Sequence, residues 1–317
     1  MMIASINEEI ANNHTFLITT HESPDGDAVG STLALAGYLR KLGKEVALYY
    51  RDPLPDLYTF LPLADTVVNV IPADHYDICF VLDVGELKRA GKELAGFHGI
   101  GKFINIDHHL HCDRFGAINL IDSDACATGA LIYRIIREAG HEIDYAIALC
   151  IYTAVITDTG SFRYSNANPE AFAIAGEMVA AGVNAWHVAE KLYERQPYQR
   201  LALLALALAT LEVSSRGDYA AVTVTLDMYD KSGANPELTD GFVNYPRSIR
   251  GVEVAIFFRE IEPRLFKVGF RSKGTVDVSA LAAAFGGGGH HNAAGCTMPG
   301  TFTEVQKKVF SHLENAF

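Results

Sequence analysis

What most constrains this chain is a pairing that recurs along its first half: a short apolar run, β-branched or aromatic, followed at once by acidic residues and histidine. FLITT (16–20) leads into His21, Asp25 and Asp27, ICFVL (78–82) into Asp83, and KFINI (102–106) into Asp107, His108 and His109. A fourth cluster, Thr157-Asp158-Thr159, follows the longer stretch IALCIYTAVI (147–156). The three short runs read as buried strands, and the longer one places Asp158 at a helix C-terminus. Between the first two clusters, AVGSTLALAGYLRKLG (28–43) keeps helical period and stops at Gly43 behind Arg40 and Lys41. VALYY (46–50) and TVVNV (66–70) add strand-like runs. The alternation predicts an α/β fold, a mostly parallel sheet flanked by helices on both faces. Side chains at the carboxyl ends of such strands share one crevice, so the clusters should converge.

Each cluster has a plainer alternative. Asp25 or Asp27 could cap the following helix, but capping needs one aspartate and leaves His21 unexplained. In extended backbone, positions i and i+2 face the same side, so both carboxylates can address neighbouring cations. Asp83, alone, reads as a cap or a buried ion pair, since buried acids need partners. In Asp107-His108-His109, adjacent side chains point opposite ways. One imidazole can then ligate a metal while the other meets a leaving group, and Asp107 can orient an imidazole through its second nitrogen. Asp158 is disfavoured at the negative end of a helix dipole, which marks a candidate functional position. Together the carboxylates and imidazoles make a donor set for more than one divalent ion and point to hydrolytic phosphate chemistry. His111 reads as part of a polar turn, and the histidines at 14, 75, 98, 141, 187 and 312 as surface or core residues.

From about 125 to 211 the pattern is helical. The run LALLALALATL (201–211) is apolar all round and reads as a buried helix, too short for a membrane span of about 20 residues. Beyond it, segments 213–226, 251–261 and 265–272 alternate as strands. A helix near 277–284 leads into the loop GGGGHHNAAG (286–295), and an amphipathic helix follows at 301–316. The expected organisation is a metal-binding catalytic domain at 1–184, a helical linker at 185–212 and a smaller α+β domain at 213–317. Gly287, Gly288 and Gly289 could offer successive backbone amides to a phosphate, with Arg271 and His290 adding charge. A glycine run by itself is more often a flexible turn.

The net charge of −12, from 26 Lys+Arg and 38 Asp+Glu, argues against a protein that tracks long nucleic acid on a broad basic surface. The segment MMIASINEEIANNH has neither the basic region nor the apolar core of a secretory signal. Five cysteines (79, 112, 126, 150, 296) form no CxxC pair and read as thiols of a reduced, cytoplasmic protein.

The ordered set HxxxDxD, Asp, DHH, Asp, followed by RSxxxxDVxxxAxxFGGGGHxxAAG, resembles the DHH-superfamily phosphoesterases that carry a type 1 DHH-associated domain, nearly end to end. GFVNYPRSIRGVEVAIFFRE (241–260) is similar to their bacterial nanoRNase/pAp phosphatase branch, also described as RecJ-like. The resemblance implies two divalent ions, usually manganese, with magnesium or cobalt as alternatives. By position, His21, Asp25 and Asp83 would hold one ion. Asp27, Asp83, His108 and Asp158 would hold the other, with Asp83 bridging. His109 would act on the phosphate, supported by Asp107, and Arg271 and His290 would bind substrate phosphate or a terminal nucleotide. His291 carries no expected role.

The expected substrates are short RNA or DNA oligonucleotides and nucleotide phosphates such as 3′-phosphoadenosine 5′-phosphate (pAp), with no long duplex and no membrane partner; a homodimer is left open. Three rivals share parts of the pattern. A RecJ-type single-strand DNA exonuclease has the same core with further nucleic-acid-binding modules. A family II pyrophosphatase or polyphosphatase lacks GGGGH. A non-enzymatic nucleotide-binding protein predicts eroded acidic clusters, and here they are intact.

Overall fold

The computed structural model describes residues 2–110 and 112–314; His111 and the side chain of His290 lie outside what is described. The chain divides into two compact units, 1–195 and 196–317. The first contains α1 (Met2–Asn12), β1 (Thr15–Thr19), α2 (Gly26–Lys41), β2 (Glu45–Tyr49), β3 (Val67–Val68), β4 (Tyr76–Leu82), α3 (Lys92–Ala95), β5 (Ile100–Asp107) and β6 (Ile118–Ile121). It ends in α4 (Thr128–Glu138), α5 (Tyr145–Asp158), α6 (Pro169–Ala180) and α7 (Ala185–Tyr193).

The sheet order is β3-β2-β1-β4-β5-β6, and every neighbouring pair is parallel. Strand alternation assigns its two faces. Phe16, Ile18, Ile78, Phe80, Ile104 and Ile106 point into the large core with α1, α2, α4 and α5. Leu17, Cys79 and Val81 point the other way, under Ala90 and Leu94. Helices therefore cover both faces, but the second only thinly. Strand β6 lay outside the sequence reading, because INLI is short and polar at its second position.

The second unit contains α8 (Tyr198–Leu208), β7 (Glu212–Val213), β8 (Tyr219–Val224), α9 (Leu226–Ser232), α10 (Asn244–Arg247), β9 (Val254–Glu262), β10 (Leu265–Ser272), α11 (Val278–Ala283), β11 (Gly288–His290), β12 (Ala293–Pro299) and α12 (Phe302–Glu314). Its sheet runs β11-β12-β10-β9-β8-β7, antiparallel except for the β8–β9 pair. Val278, Leu281, Val305, Val309 and Leu313 pack α11 and α12 on one face. Leu203 and Ala207 bring α8 to Val224, Tyr229 and Phe242.

The structure departs from two expectations. The run 201–211 is not a helix buried all round. Only Leu203 and Ala207 of α8 are buried, while Leu201 is 54% and Leu208 37% exposed. A helix lying on one face of a sheet has a single face to bury, whatever its composition. The segment 286–295 is not an open loop either. It forms the β11–β12 hairpin, with Gly288 opposite Gly295 and Gly289 opposite Ala294.

Helices α2 and α5 approach closely at Gly30, where an added Cβ would lie 2.5 Å from the Cys150 carbonyl oxygen and 2.9 Å from the Ala154 Cβ. Gly30→Ala should destabilise the protein by about 1–3 kcal/mol, the usual cost of overpacking, read as a lower urea midpoint. Gly176→Ala, in α6 with nothing within 4 Å of the new Cβ, should raise the midpoint through helix propensity, by up to about 1 kcal/mol.

Candidate metal centre

The four clusters of the first unit meet at the carboxyl end of its sheet. Asp83, one residue beyond β4, donates its amide to the Ile106 carbonyl at 3.0 Å, so it extends the β4–β5 pairing. Its φ is 61°, a left-handed conformation that costs a non-glycine residue about 1–2 kcal/mol. The buried carboxylate is thereby turned toward three imidazoles from two other segments. His21 Nε2 lies 3.7 Å from Asp83 Oδ2. His108 Nε2 lies 3.7 Å and His109 Nδ1 3.5 Å from Asp83 Oδ1.

The sequence placed Asp25 and Asp27 on one extended segment, and the structure corrects this. Helix α2 begins at Gly26, so Asp25 is its N-cap and accepts the amides of Asp27 and Ala28. Asp27 sits in the first helical turn, fully buried. Cap and first turn bring both carboxylates to one region, whereas extended alternation has no part in it.

His108 occupies the middle of the second group. Its Nδ1 meets the Ala125 carbonyl at 3.1 Å, so the Nδ1 proton is donated there and Nε2 is left facing inward. Nε2 lies 3.6 Å from Asp27 Oδ2, 3.7 Å from Asp83 Oδ1 and 3.6 Å from Asp158 Oδ2. His21 is fixed in the same way, with Nδ1 at 2.7 Å from the Glu22 carbonyl. The separations of 3.6 to 3.7 Å around His108 Nε2 are too long for hydrogen bonds. They are about those of neighbouring ligand atoms around a divalent ion bound at about 2.0–2.2 Å.

Electrostatics agree with that spacing. Burial first, and the charge of Asp83 second, hold the Asp27 carboxyl well above its usual range. Burial pushes Asp158 up to about 7, with Asp83 and Asp25 adding to it against His108. Burial alone would lower His108, but Asp27, Asp158 and Asp83 outweigh it and raise the imidazole to about 9. For Asp83 the imidazoles of His21, His108 and His109 overcome burial and lower its pKa. Among the described residues, the ion pairs recorded for Asp27, Asp83 and Asp158 are all with imidazoles, none with lysine or arginine. Crowded acids without a fixed cation are a donor set suited to divalent metal. Three overlapping groups have ligand atoms within 4.8 Å of one another: His21, Asp25 and Asp83; Asp27, His108 and Asp158; and Asp83, His108 and His109.

Asp107 and His109 form a separate pair. His109 Nδ1 lies 2.6 Å from Asp107 Oδ1, which also accepts the His109 amide at 3.1 Å. This hydrogen bond raises the imidazole pKa first, with the charges of Asp83 and Asp107 adding to it against burial and His108.

Several supporting residues escaped the sequence reading. Helix α4 has no side-chain cap of its own. Its first amides are taken by Asp27: Thr128 N at 2.6 Å and Gly129 N at 2.9 Å. Ser31 Oγ donates to the same carboxylate at 2.8 Å, and Thr128 Oγ1 donates to Asp83 Oδ1 at 3.1 Å. Asn166 Nδ2 donates to Asp158 Oδ2 and to the Cys126 carbonyl, both at 2.9 Å. The only local signal was the uncapped CATG at the start of an amphipathic helix.

The substrate-side candidates lie in the second unit. Arg271 in β10 and His290 in β11 occupy the register positions on either side of Ala293. The amides of Gly286 and Gly287 close on the end of α11, on Ala283 and Ala282 oxygens at 3.0 and 2.9 Å. Gly289, at φ 146° with Ala293 O 2.5 Å from an added Cβ, is required by the hairpin itself. Gly288 faces open space.

Residues 15–155 match the family model described as the N-terminal domain of the DHH family, and residues 217–316 match the DHHA1 domain. The bifunctional oligoribonuclease and PAP phosphatase NrnA of Thermus thermophilus is 35% identical over 288 residues, covering 89% of this chain and 84% of the relative. The Bacillus subtilis protein of the same description is 28% identical over 288 residues, covering 90% and 89%. Among solved structures, an exopolyphosphatase-related protein from Bacteroides fragilis matches with a TM-score of 0.91 at 30% identity, over 98% of this chain and 94% of the other. RecJ from Thermus thermophilus, solved with Mn2+, shares the fold at a TM-score of 0.55 and 13% identity, over 100% of this chain and 54% of its own. With both domain models matched and a 35% identical relative covered over most of its length, the chain belongs to the DHH family of hydrolytic phosphoesterases, in the form that carries a DHHA1 domain.

Proposed function

We propose that this phosphoesterase removes phosphate or mononucleotides from short oligonucleotides and from pAp, using two divalent ions, manganese by preference. The observation that carries the reading is the sharing of Asp83 between two donor groups, one with His21 and Asp25 and one with His108. The names of the Thermus and Bacillus relatives support the substrate class. In this reading His21, Asp25 and Asp83 hold one ion, and Asp27, Asp83, His108 and Asp158 the other. The ions, when bound, supply an activated water and neutralise charge on the phosphoryl oxygens.

The remaining steps belong to the side chains. Asp107 orients His109 and favours its protonated form, so the imidazole can donate a proton or a positive charge to the departing oxygen. Thr128 and Ser31 keep Asp27 and Asp83 in fixed rotamers, so the donors need not reorganise when an ion binds. On the second unit, Arg271 and the backbone around Gly287, Gly288, Gly289 and His290 take the non-reacting phosphate of the substrate.

Protein equilibrated with Mn2+ should approach two ions per chain by elemental analysis. Asp83→Ala should lose most of both the metal and the activity. Full activity in excess chelator would overturn the metal-dependent reading. His109→Ala should lower kcat by about 100-fold or more, the scale for a missing general acid, with metal content kept. Metal loss equal to that of His108→Ala would show the two roles exchanged. Initial rates with Mn2+, Mg2+ and Co2+ on pAp, pApA, a pentaribonucleotide, a 24-nucleotide single-stranded DNA and pyrophosphate test the substrate class. Faster digestion of the long DNA than of the short substrates would replace this reading with a RecJ-type exonuclease.

A further inference from the structure

The segment NYPRSIRGVE (244–253) has no role in the site described so far, yet it lies against the strand end that carries Arg271. Strand β10 ends where β9 begins, with Arg271 opposite Ala255 and Ser272 opposite Val254. The next residue ties the two strand ends together. Lys273 N donates to the Glu253 carbonyl and Lys273 Nζ to the Ile249 carbonyl, both at 3.0 Å. The Lys273 ammonium is therefore pinned to the turn that carries Arg247 and Arg250.

Charge sets this corner apart. The second unit has 12 Lys+Arg and 12 Asp+Glu, so the whole −12 of the chain resides on the first unit. Most other guanidinium groups of the second unit are committed. Arg200 bonds the Leu238 and Asp240 carbonyls, Arg216 pairs with Asp218 at 2.8 Å, Arg259 bonds Pro236 O and Thr239, and Arg264 pairs with Glu304 at 3.7 Å. Among the described residues, neither Arg250 nor Lys273 has a carboxylate within salt-bridge distance, and both are exposed. Tyr245, 43% exposed on the same segment, adds an aromatic face. Clustered cations beside an exposed ring favour single-stranded nucleic acid over a protein partner.

We propose that Arg250 and Lys273, beside Arg247, form a second phosphate-binding station for an internucleotide phosphate of an oligonucleotide. The inference rests on the functional reading above for its substrate. In that reading pAp and pApA each carry two phosphates, one reacting and one held by Arg271. Neither has a third, so the station distinguishes longer oligonucleotides from both.

The test is calorimetric titration of the full chain, in chelator, with a pentaribonucleotide, pApA and pAp. The double variant Arg250→Ser/Lys273→Ser should weaken pentanucleotide binding by about tenfold or more, the scale of one charge-assisted hydrogen bond removed. Binding of pApA and pAp should stay within about twofold. The salt dependence for the pentanucleotide should also become shallower, by about 0.7 in the log–log slope for each phosphate no longer neutralised. Lys273→Arg, which keeps the charge, should retain wild-type affinity and so separates removal of charge from a disturbed turn. An unchanged pentanucleotide affinity, an equal weakening for all three ligands, or a wild type that binds no pentanucleotide overturns the station. A wild type that binds as described but, once chelator is replaced by Mn2+, hydrolyses none of the three ligands overturns the functional reading and leaves the station standing.

Discussion

The candidate site depends on one buried carboxylate held in an unfavourable backbone conformation. Asp83 continues β4 by a single hydrogen bond to β5 and then turns left-handed. That turn sets its two oxygens toward different neighbours, Oδ2 toward His21 and Oδ1 toward His108, His109 and Thr128. Backbone strain of this kind persists only where surrounding structure over-determines it. Here parallel pairing on one side and the α4 N-terminus on the other do so. With either oxygen turned away, the two donor groups would no longer share a member.

The second dependence is between helices. Asp27 belongs to α2 but completes α4, whose first amides it accepts. An acid at a helix N-terminus is stabilised by the amides and by the helix dipole. This interaction lets an aspartate stay buried at a place where three other carboxylates oppose its ionisation. It also couples fold to site, since α2 packs on both α4 and α5, and Gly30 permits the close approach to α5. Helix α5 in turn delivers Asp158 at its last residue. The core packing and the placing of these carboxylates are thus one arrangement.

Local pattern served the sequence reading well wherever one strand or helix decided the outcome. The apolar runs before His21, Asp83 and Asp107 became β1, β4 and β5, and Asp158 did close a helix. Local pattern failed where partners were distant. Composition made 201–211 look buried all round, but burial depends on what covers each face, and α8 is covered on only one. Four glycines looked like a loop, but pairing with β12 made a strand of residues 288–290. The i, i+2 argument for Asp25 and Asp27 assumed extended backbone at a point where the helix had already begun.

The sequence by itself determined the fold class, the order of the acidic and histidine clusters, and the identity of the side chains that meet. Those follow from strand-length apolar runs and from residue chemistry, which are local properties. Only the tertiary structure decided how those side chains are aimed. The left-handed turn at Asp83, the inward nitrogen of His108, the grip of Thr128 and Gly129 on Asp27, and the hold of Asn166 on Asp158 all join residues from separate elements. A hydrogen bond between positions 27 and 128 has no local sequence signature, because its geometry exists only once two helices have packed.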